Sequence, residues 1–169
     1  MINNSTIAAN HVYAVRDYPA DAGAIANVGT LKISNSTISF NTAKNGVGGI
    51  GGQGGSATLK NSIVADNQGG NCTQNVASLG YNLSSDASCH FNQVGDQINI
   101  EPMLGPLQDN GGPTQTMALP LGSPAIDAGN PSGCTDGFGH LLTTDQRGMP
   151  RPDLGDSGGC DIGAYESQD

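Results

Sequence analysis

The sequence predicts an all-β protein: a short parallel β-solenoid over residues 1–70, then a loop-rich, disulfide-bearing cap over residues 71–169. Three observations carry that prediction. A segment beginning Asn-Ser and ending in Asn recurs three times within the first 67 residues. The composition is rich in turn formers, with 26 Gly, 16 Asn and 9 Pro in 169 residues, and has no Trp. These residue types end helices and suit turns, so a helical bundle is excluded. The third observation is a change of character near residue 70. Residues 1–70 hold four basic and three acidic side chains, whereas residues 71–169 hold two basic and twelve acidic ones and all four cysteines.

The recurring segments are Asn4-Ser5-Thr6-Ile7-Ala8-Ala9-Asn10, Asn35-Ser36-Thr37-Ile38-Ser39-Phe40-Asn41 and Asn61-Ser62-Ile63-Val64-Ala65-Asp66-Asn67. Between them Gly23-Ala24-Ile25 matches Gly48-Gly49-Ile50, and Leu31-Lys32-Ile33 matches Ala57-Thr58-Leu59. Each unit therefore predicts an apolar strand beside glycine, an alternating strand, an Asn, a further strand and a second Asn. Side chains alternate faces along a strand, so Leu31 and Ile33 point the same way. One such coil cannot bury its inner face alone, but stacked coils share a continuous core at a rise of about 4.8 Å. The repeated Asn4, Asn35 and Asn61, and likewise Asn10, Asn41 and Asn67, then stack as ladders, each amide donating to one neighbour and accepting from the other. Asn also tolerates the left-handed backbone of sharp turns. His11 to Asp21 reads as an extra loop. Gly46 to Gly51 matches GxGxxG, but Gly52-Gln53-Gly54-Gly55-Ser56 cannot start the helix a dinucleotide site requires, so a tight solenoid corner is expected.

After Asn71 the chain is punctuated by proline, with short apolar pieces such as Ile98-Asn99-Ile100, Met117-Ala118-Leu119 and Ile162-Gly163-Ala164. This reads as a cap over the solenoid end, where strand edges and core otherwise meet water. Cys72, Cys89, Cys134 and Cys160 show no CxxC spacing. Of three possible pairings, Cys72–Cys89 with Cys134–Cys160 closes two local loops and is the one expected. Disulfides imply an oxidising compartment and export. Met1-Ile2-Asn3-Asn4 lacks the basic start and apolar core of a signal peptide, so the chain is expected to be a piece of a longer exported protein. No apolar run approaches the roughly 18–20 residues of a membrane span. Nucleic acid is disfavoured as a partner by a net charge of -9.

Four motifs in the second part are specific in order and content. They are Leu104-Gly105-Pro106-Leu107-Gln108-Asp109-Asn110-Gly111-Gly112-Pro113-Thr114, Gly122-Ser123-Pro124-Ala125-Ile126-Asp127-Ala128-Gly129, Thr144-Asp145-Gln146-Arg147-Gly148-Met149-Pro150-Arg151-Pro152 and Cys160-Asp161-Ile162-Gly163-Ala164-Tyr165-Glu166. With the NSTIxxN repeats before them they resemble the choice-of-anchor Q family of bacterial surface and secreted proteins. The resemblance covers nearly the whole chain. It implies a right-handed parallel β-helix and an extracellular or cell-surface location, and brings no established activity.

The β-helix class raises the question of chemistry on polysaccharides. A hydrolase needs two or three carboxylates on neighbouring coils. Asp66 aligns with Ala9 and Phe40 and so has no carboxylate stacked on it; Arg16, Asp17 and Asp21 share one polar loop. No catalytic residue is expected. Asp109, Asp127, Asp145, Asp161 and Glu166 are the hard oxygen donors Ca²⁺ takes, but no DxDxDG spacing is present. They read as turn formers, with Asp145 and Arg147 in a buried pair, and no cofactor or metal is expected. His11, His90 and His140 are separate in sequence and read as ordinary surface or cap residues. Ser5-Thr6 and Ser36-Thr37 suggest an ice-binding hydroxyl ladder, which Ser62-Ile63 breaks. Asn35, Asn71 and Asn82 begin glycosylation sequons, the latter two in expected loops. The expected function is a non-enzymatic extracellular structural or adhesive role, with self-association head-to-tail into filaments through the open first coil. The alternative is a polysaccharide-binding or polysaccharide-cleaving β-helix.

Overall fold

The computed structural model describes residues 1–13, 22–73, 76–154 and 159–168. Among these there are strands and turns and no helix. The first pass of the chain supplies β1 (Ile2–Asn3), β2 (Thr6–Ala8), β3 (His11–Val12) and β4 (Ile25–Ala26). The second supplies β5 (Thr30–Ser34), β6 (Thr37–Ser39), β7 (Thr42–Ala43) and β8 (Ile50–Gly51), and the third begins with β9 (Ser56–Lys60) and β10 (Ile63–Ala65). Each strand pairs in parallel with its counterpart one pass later: Ile2 with Ile33, Thr6 with Thr37, His11 with Thr42 and Ile25 with Ile50. The chain thus visits its parallel sheets in the same order on successive passes, an arrangement compatible with a β-helix.

The parallel pairing does not stop where the composition changes. β11 (Val76–Ser78) joins β9, β12 (Leu83–Ser84) joins β10, and β13 (Gln97–Ile98) joins β12. The first sheet therefore runs β1-β5-β9-β11 and the second β2-β6-β10-β12-β13. A separate antiparallel pair is formed by β14 (Leu107–Gln108) and β15 (Thr116–Met117).

Two apolar clusters follow from strand alternation. Ile33, Ile38, Ile50, Leu59 and Val64 point into the space enclosed by the parallel sheets, with Cys72, Cys89 and Phe91 beside them. Ile63, Ala65 and Leu83 point the opposite way, yet they too are fully buried, against Leu119, Ala125 and Ile162. For the region after residue 100 the sequence suggested a cap over an open end of the stack. The region lies along the outer face of the second sheet. Thr6 Oγ1 donates to Gln146 at 2.7 Å, Ala164 N–H donates to Thr37 Oγ1 at 3.1 Å, and Gln97 Nε2 donates to Pro124 O at 2.9 Å, so three strands of one sheet are engaged. Burial on both faces explains the unbroken apolar run Ile63-Val64-Ala65. Fully burying Ile63, Leu83 or Ile162 stabilises by about 1.5–3 kcal/mol each. The approach is close at Gly163, where φ is 108° and a Cβ would meet Ile63 and Thr37 side chains at 2.9 Å.

Two disulfides are present, Cys72–Cys89 and Cys134–Cys160, and no free cysteine remains. The first lies in the interior cluster, where Cys72 forms a parallel bridge with Ile50. The second is wholly buried in the C-terminal region, and Asn61 Nδ2 contacts its Cys134 Sγ at 2.9 Å.

Candidate functional site

The asparagines form two hydrogen-bonded rows, and their membership differs from the sequence pattern. In one row Asn10 Nδ2 donates to Asn41 Oδ1 at 2.8 Å, Asn41 Nδ2 to Asn67 Oδ1 at 2.9 Å, and Asn67 Nδ2 to Asn71 Oδ1 at 2.9 Å. Each Oδ1 also takes the backbone N–H of the Asn that donates to it, at 3.0–3.2 Å. The other row runs the opposite way: Asn61 Nδ2 donates to Asn35 Oδ1 at 3.2 Å, and Asn35 Nδ2 to Asn3 Oδ1 at 3.0 Å. Asn4 is not in the row. Its amide donates to Thr144 O and accepts from Arg151 Nη1 at 3.2 Å, because the C-terminal region offers it a carbonyl and a cation.

The left-handed backbone falls on Asn4, Asn35 and Asn61, with φ of 53°, 46° and 49°. At the second turn it falls one residue before the Asn, on Ala9, Phe40 and Asp66, with φ of 56°, 55° and 56°. There the following Asn pins the turn instead: Asn10 Nδ2 reaches back to Ala8 O and Asn41 Nδ2 to Ser39 O. The glycines of the GxGxxG run lie between neighbouring backbones, where a Cβ on Gly49 would meet Asn71 O at 2.0 Å.

The densest collection of charge is buried where the third and fourth C-terminal motifs meet. Arg151 Nε donates to Glu166 Oε2 at 2.6 Å, and both side chains are wholly enclosed. The other Arg151 nitrogens donate to Asn4 Oδ1, Gly163 O and Tyr165 O. Arg147 pairs with Asp145 at 2.8 Å and lies 3.6 Å above the Tyr165 ring. Asp145 also accepts the N–H groups of Arg147, Met149 and Glu166. Asp161 accepts the N–H groups of Asp127 and Ser167, and its own N–H donates to Glu166 Oε2. Glu166 Oε1 is buried without a partner. Burial pushes the Glu166 carboxyl up to about 7, against the downward pull of Arg151. Burial also raises Asp161, against the hydrogen bonds it accepts and the Arg151 charge. Three carboxyls thus face two guanidinium groups in a buried site. Each is held by backbone donors or arginine, which fixes the loops that carry them.

The remaining candidates are dispersed. Asp109 accepts Gly111 N–H at 2.9 Å as a turn former. Among the described residues no group of three His, Cys, Asp or Glu converges as a metal site. His11 lies in β3, His90 Nδ1 lies 2.7 Å from Ser88 O, and His140 pairs with Asp136 at 3.0 Å. The sequon residues Asn35, Asn71 and Asn82 are all fully buried, so neither Asn71 nor Asn82 offers the accessible amide that a loop would give. Arg16, Asp17 and Asp21 lie outside the described residues. Asp66 does have a carboxylate neighbour, Glu101, which arrives from beyond the repeat. Burial, followed by the Glu101 charge and a hydrogen bond with it, raises the Asp66 carboxyl. No family model, curated protein or solved structure matches this chain.

Proposed function

We propose that the chain is a non-enzymatic extracellular structural or adhesive protein, a short right-handed parallel β-helix flanked by a C-terminal region of the choice-of-anchor Q type. The observation that carries this reading is the use made of Asp145, Arg147, Arg151, Asp161 and Glu166. These residues belong to the motifs on which the family resemblance rests; all five hold the C-terminal region together, and Arg151 also ties it to Asn4 just before β2. Their chemistry is consumed in the fold. Two disulfides suggest an oxidising, extracellular environment. No helix among the described residues is long and apolar enough to cross a membrane.

A polysaccharide-cleaving function is the second reading, favoured by the Asp66–Glu101 pair. Two carboxyls sharing a proton resemble an acid–base dyad in principle. Incubation with polygalacturonate and alginate, with and without Ca²⁺, separates the two. The structural reading expects no new reducing ends and no unsaturated products. Turnover that disappears in Asp66→Ala and Glu101→Ala would establish the second reading instead.

A further inference from the structure

A cleft of 190 Å³ lies between the outer face of the first sheet and the loop around residues 135–139. Its floor is set by the register of β5 on β9, which places Lys32 opposite Thr58 and Ser34 opposite Lys60. Lys32 and Lys60 therefore point out of the same face as diagonal neighbours, about 8 Å apart given the strand spacing and rise. Neither forms an ion pair among the described residues, in a chain of net charge -9. Lys60 Nζ donates to the Thr135 hydroxyl at 2.9 Å, a neutral partner that leaves two ammonium hydrogens unused. Asp136 also lines the cleft, but its Oδ1 accepts the N–H groups of Phe138 and His140, and its Oδ2 is bound to His140 Nδ1. Its charge is directed into the loop.

Gly137 and Gly139 line the opposite wall, with the Met1 thioether beside Gly137, and Phe138 between them is 72% exposed. Leu79 also lines the cleft. Two unneutralised cations repel each other, and an anion between them removes that repulsion. The volume is that of one six-membered ring, since about 150 Å³ accommodates benzene. The Thr58 and Thr135 hydroxyls add groups able to bond ring hydroxyls.

We propose that this cleft binds one acidic sugar unit, a pyranose ring carrying a carboxylate, with Lys32 and Lys60 on the carboxylate and the ring against the Gly137–Gly139 wall. The proposal deepens the adhesive reading above and rests on it, by giving the adhesive surface a ligand class. Calorimetry at low salt with trigalacturonate, and with maltotriose as the neutral counterpart, tests it. Trigalacturonate binds and maltotriose does not. Lys32→Glu and Lys60→Gln each weaken binding about ten-fold or more, as expected for loss of a charged hydrogen bond. Lys32 is exposed, so its variant keeps the fold and carries the test alone if Lys60→Gln unfolds. Absence of trigalacturonate binding at millimolar concentration, equal binding of maltotriose, or unchanged affinity in Lys32→Glu overturns the proposal. Such a failure leaves the non-enzymatic reading in place, because that reading falls only on turnover.

Discussion

The single-atom change Asn41→Asp tests the asparagine row directly. Asn41 is fully buried, and its Nδ2 donates to Asn67 Oδ1, Ile7 O and Ser39 O at 2.9, 3.0 and 3.1 Å. Its Oδ1 accepts both N–H and Nδ2 of Asn10. An aspartate accepts only, so a carboxylate oxygen there would face three acceptors at hydrogen-bond distance. The residue escapes by keeping a proton. An unfolded aspartate titrates near 3.9, and each pH unit above that adds about 1.4 kcal/mol to the work of holding the proton. At pH 7 this comes to about 4 kcal/mol, a large part of the stability of an ordinary domain. At pH 4 the protonated side chain lacks one donor, and the loss is about 1 kcal/mol. Asn41→Ala strands buried partners without introducing a charge, so its loss of about 3 kcal/mol stays the same at both pH values. Asn10→Asp, at the exposed end of the row, costs under about 1 kcal/mol. Urea unfolding at pH 4 and pH 7, with midpoint and slope compared to the parent at each pH, measures these differences. An Asn41→Asp loss below about 1 kcal/mol at pH 7, or one no larger than at pH 4, refutes the row as drawn.

Three further outcomes follow from the buried charges and the disulfides. Above pH 7, where Glu166 ionises, Arg151→Met leaves its carboxylate enclosed without a cation and costs about 3–5 kcal/mol in denaturant unfolding, and adding Glu166→Gln recovers part of the loss; no recovery in the double variant refutes the coupling. Glu166 holds its proton in the folded state up to about pH 7, whereas the unfolded chain releases it near 4.5. The folded state therefore binds more protons in that window, and the Glu166 contribution is fully present below pH 4.5 and declines by about 3 kcal/mol as pH rises through 7. Glu166→Gln flattens that decline in a pH series of unfolding midpoints. Replacing Cys72 and Cys89 by Ala, or Cys134 and Cys160 by Ala, costs roughly 3 kcal/mol per bridge by the loop-entropy account; equal midpoints for the variants and the oxidised parent contradict it.

The strands of the first three passes were legible because the Asn-Ser motif fixes their register, and Ile33, Ile38 and Leu59 lie inside as alternation requires. The continuation was not. From Ile63 to Leu83 the step shortens, and at Val76–Ser78 and Leu83–Ser84 only Asn82 and Ser84 retain a trace of the motif. The sequence pattern marks Asn71 and Asn82 as loop sequons, whereas in the structure Asn71 extends one row and Asn82 Oδ1 accepts Ser62 N–H at 3.0 Å. The lateral docking of the C-terminal region left one sign, the uninterrupted Ile63-Val64-Ala65, set against the polar outer residues Thr37 and Ser39 of the preceding pass. Those two are buried because their hydroxyls are bonded, Thr37 by Ala164 N–H and Ser39 to Ala65 O. Glu101 beside Asp66, and Lys32 diagonal to Lys60, depend on register and chain return, which a repeat alignment does not reveal.

The buried charges and apolar contacts are expected to make the C-terminal region one structural unit with the parallel sheets. Native-state hydrogen exchange measures this directly. Gly163 N–H donates to Asn61 O and Ala164 N–H to Thr37 Oγ1, while Ile63 N–H and Leu83 N–H lie within the stack. All four amides should exchange with the same free energy, close to that of global unfolding, and respond alike to denaturant. Gly163 and Ala164 exchanging several kcal/mol below Ile63 and Leu83 would contradict the claim, because the region would then open while the sheets stay closed.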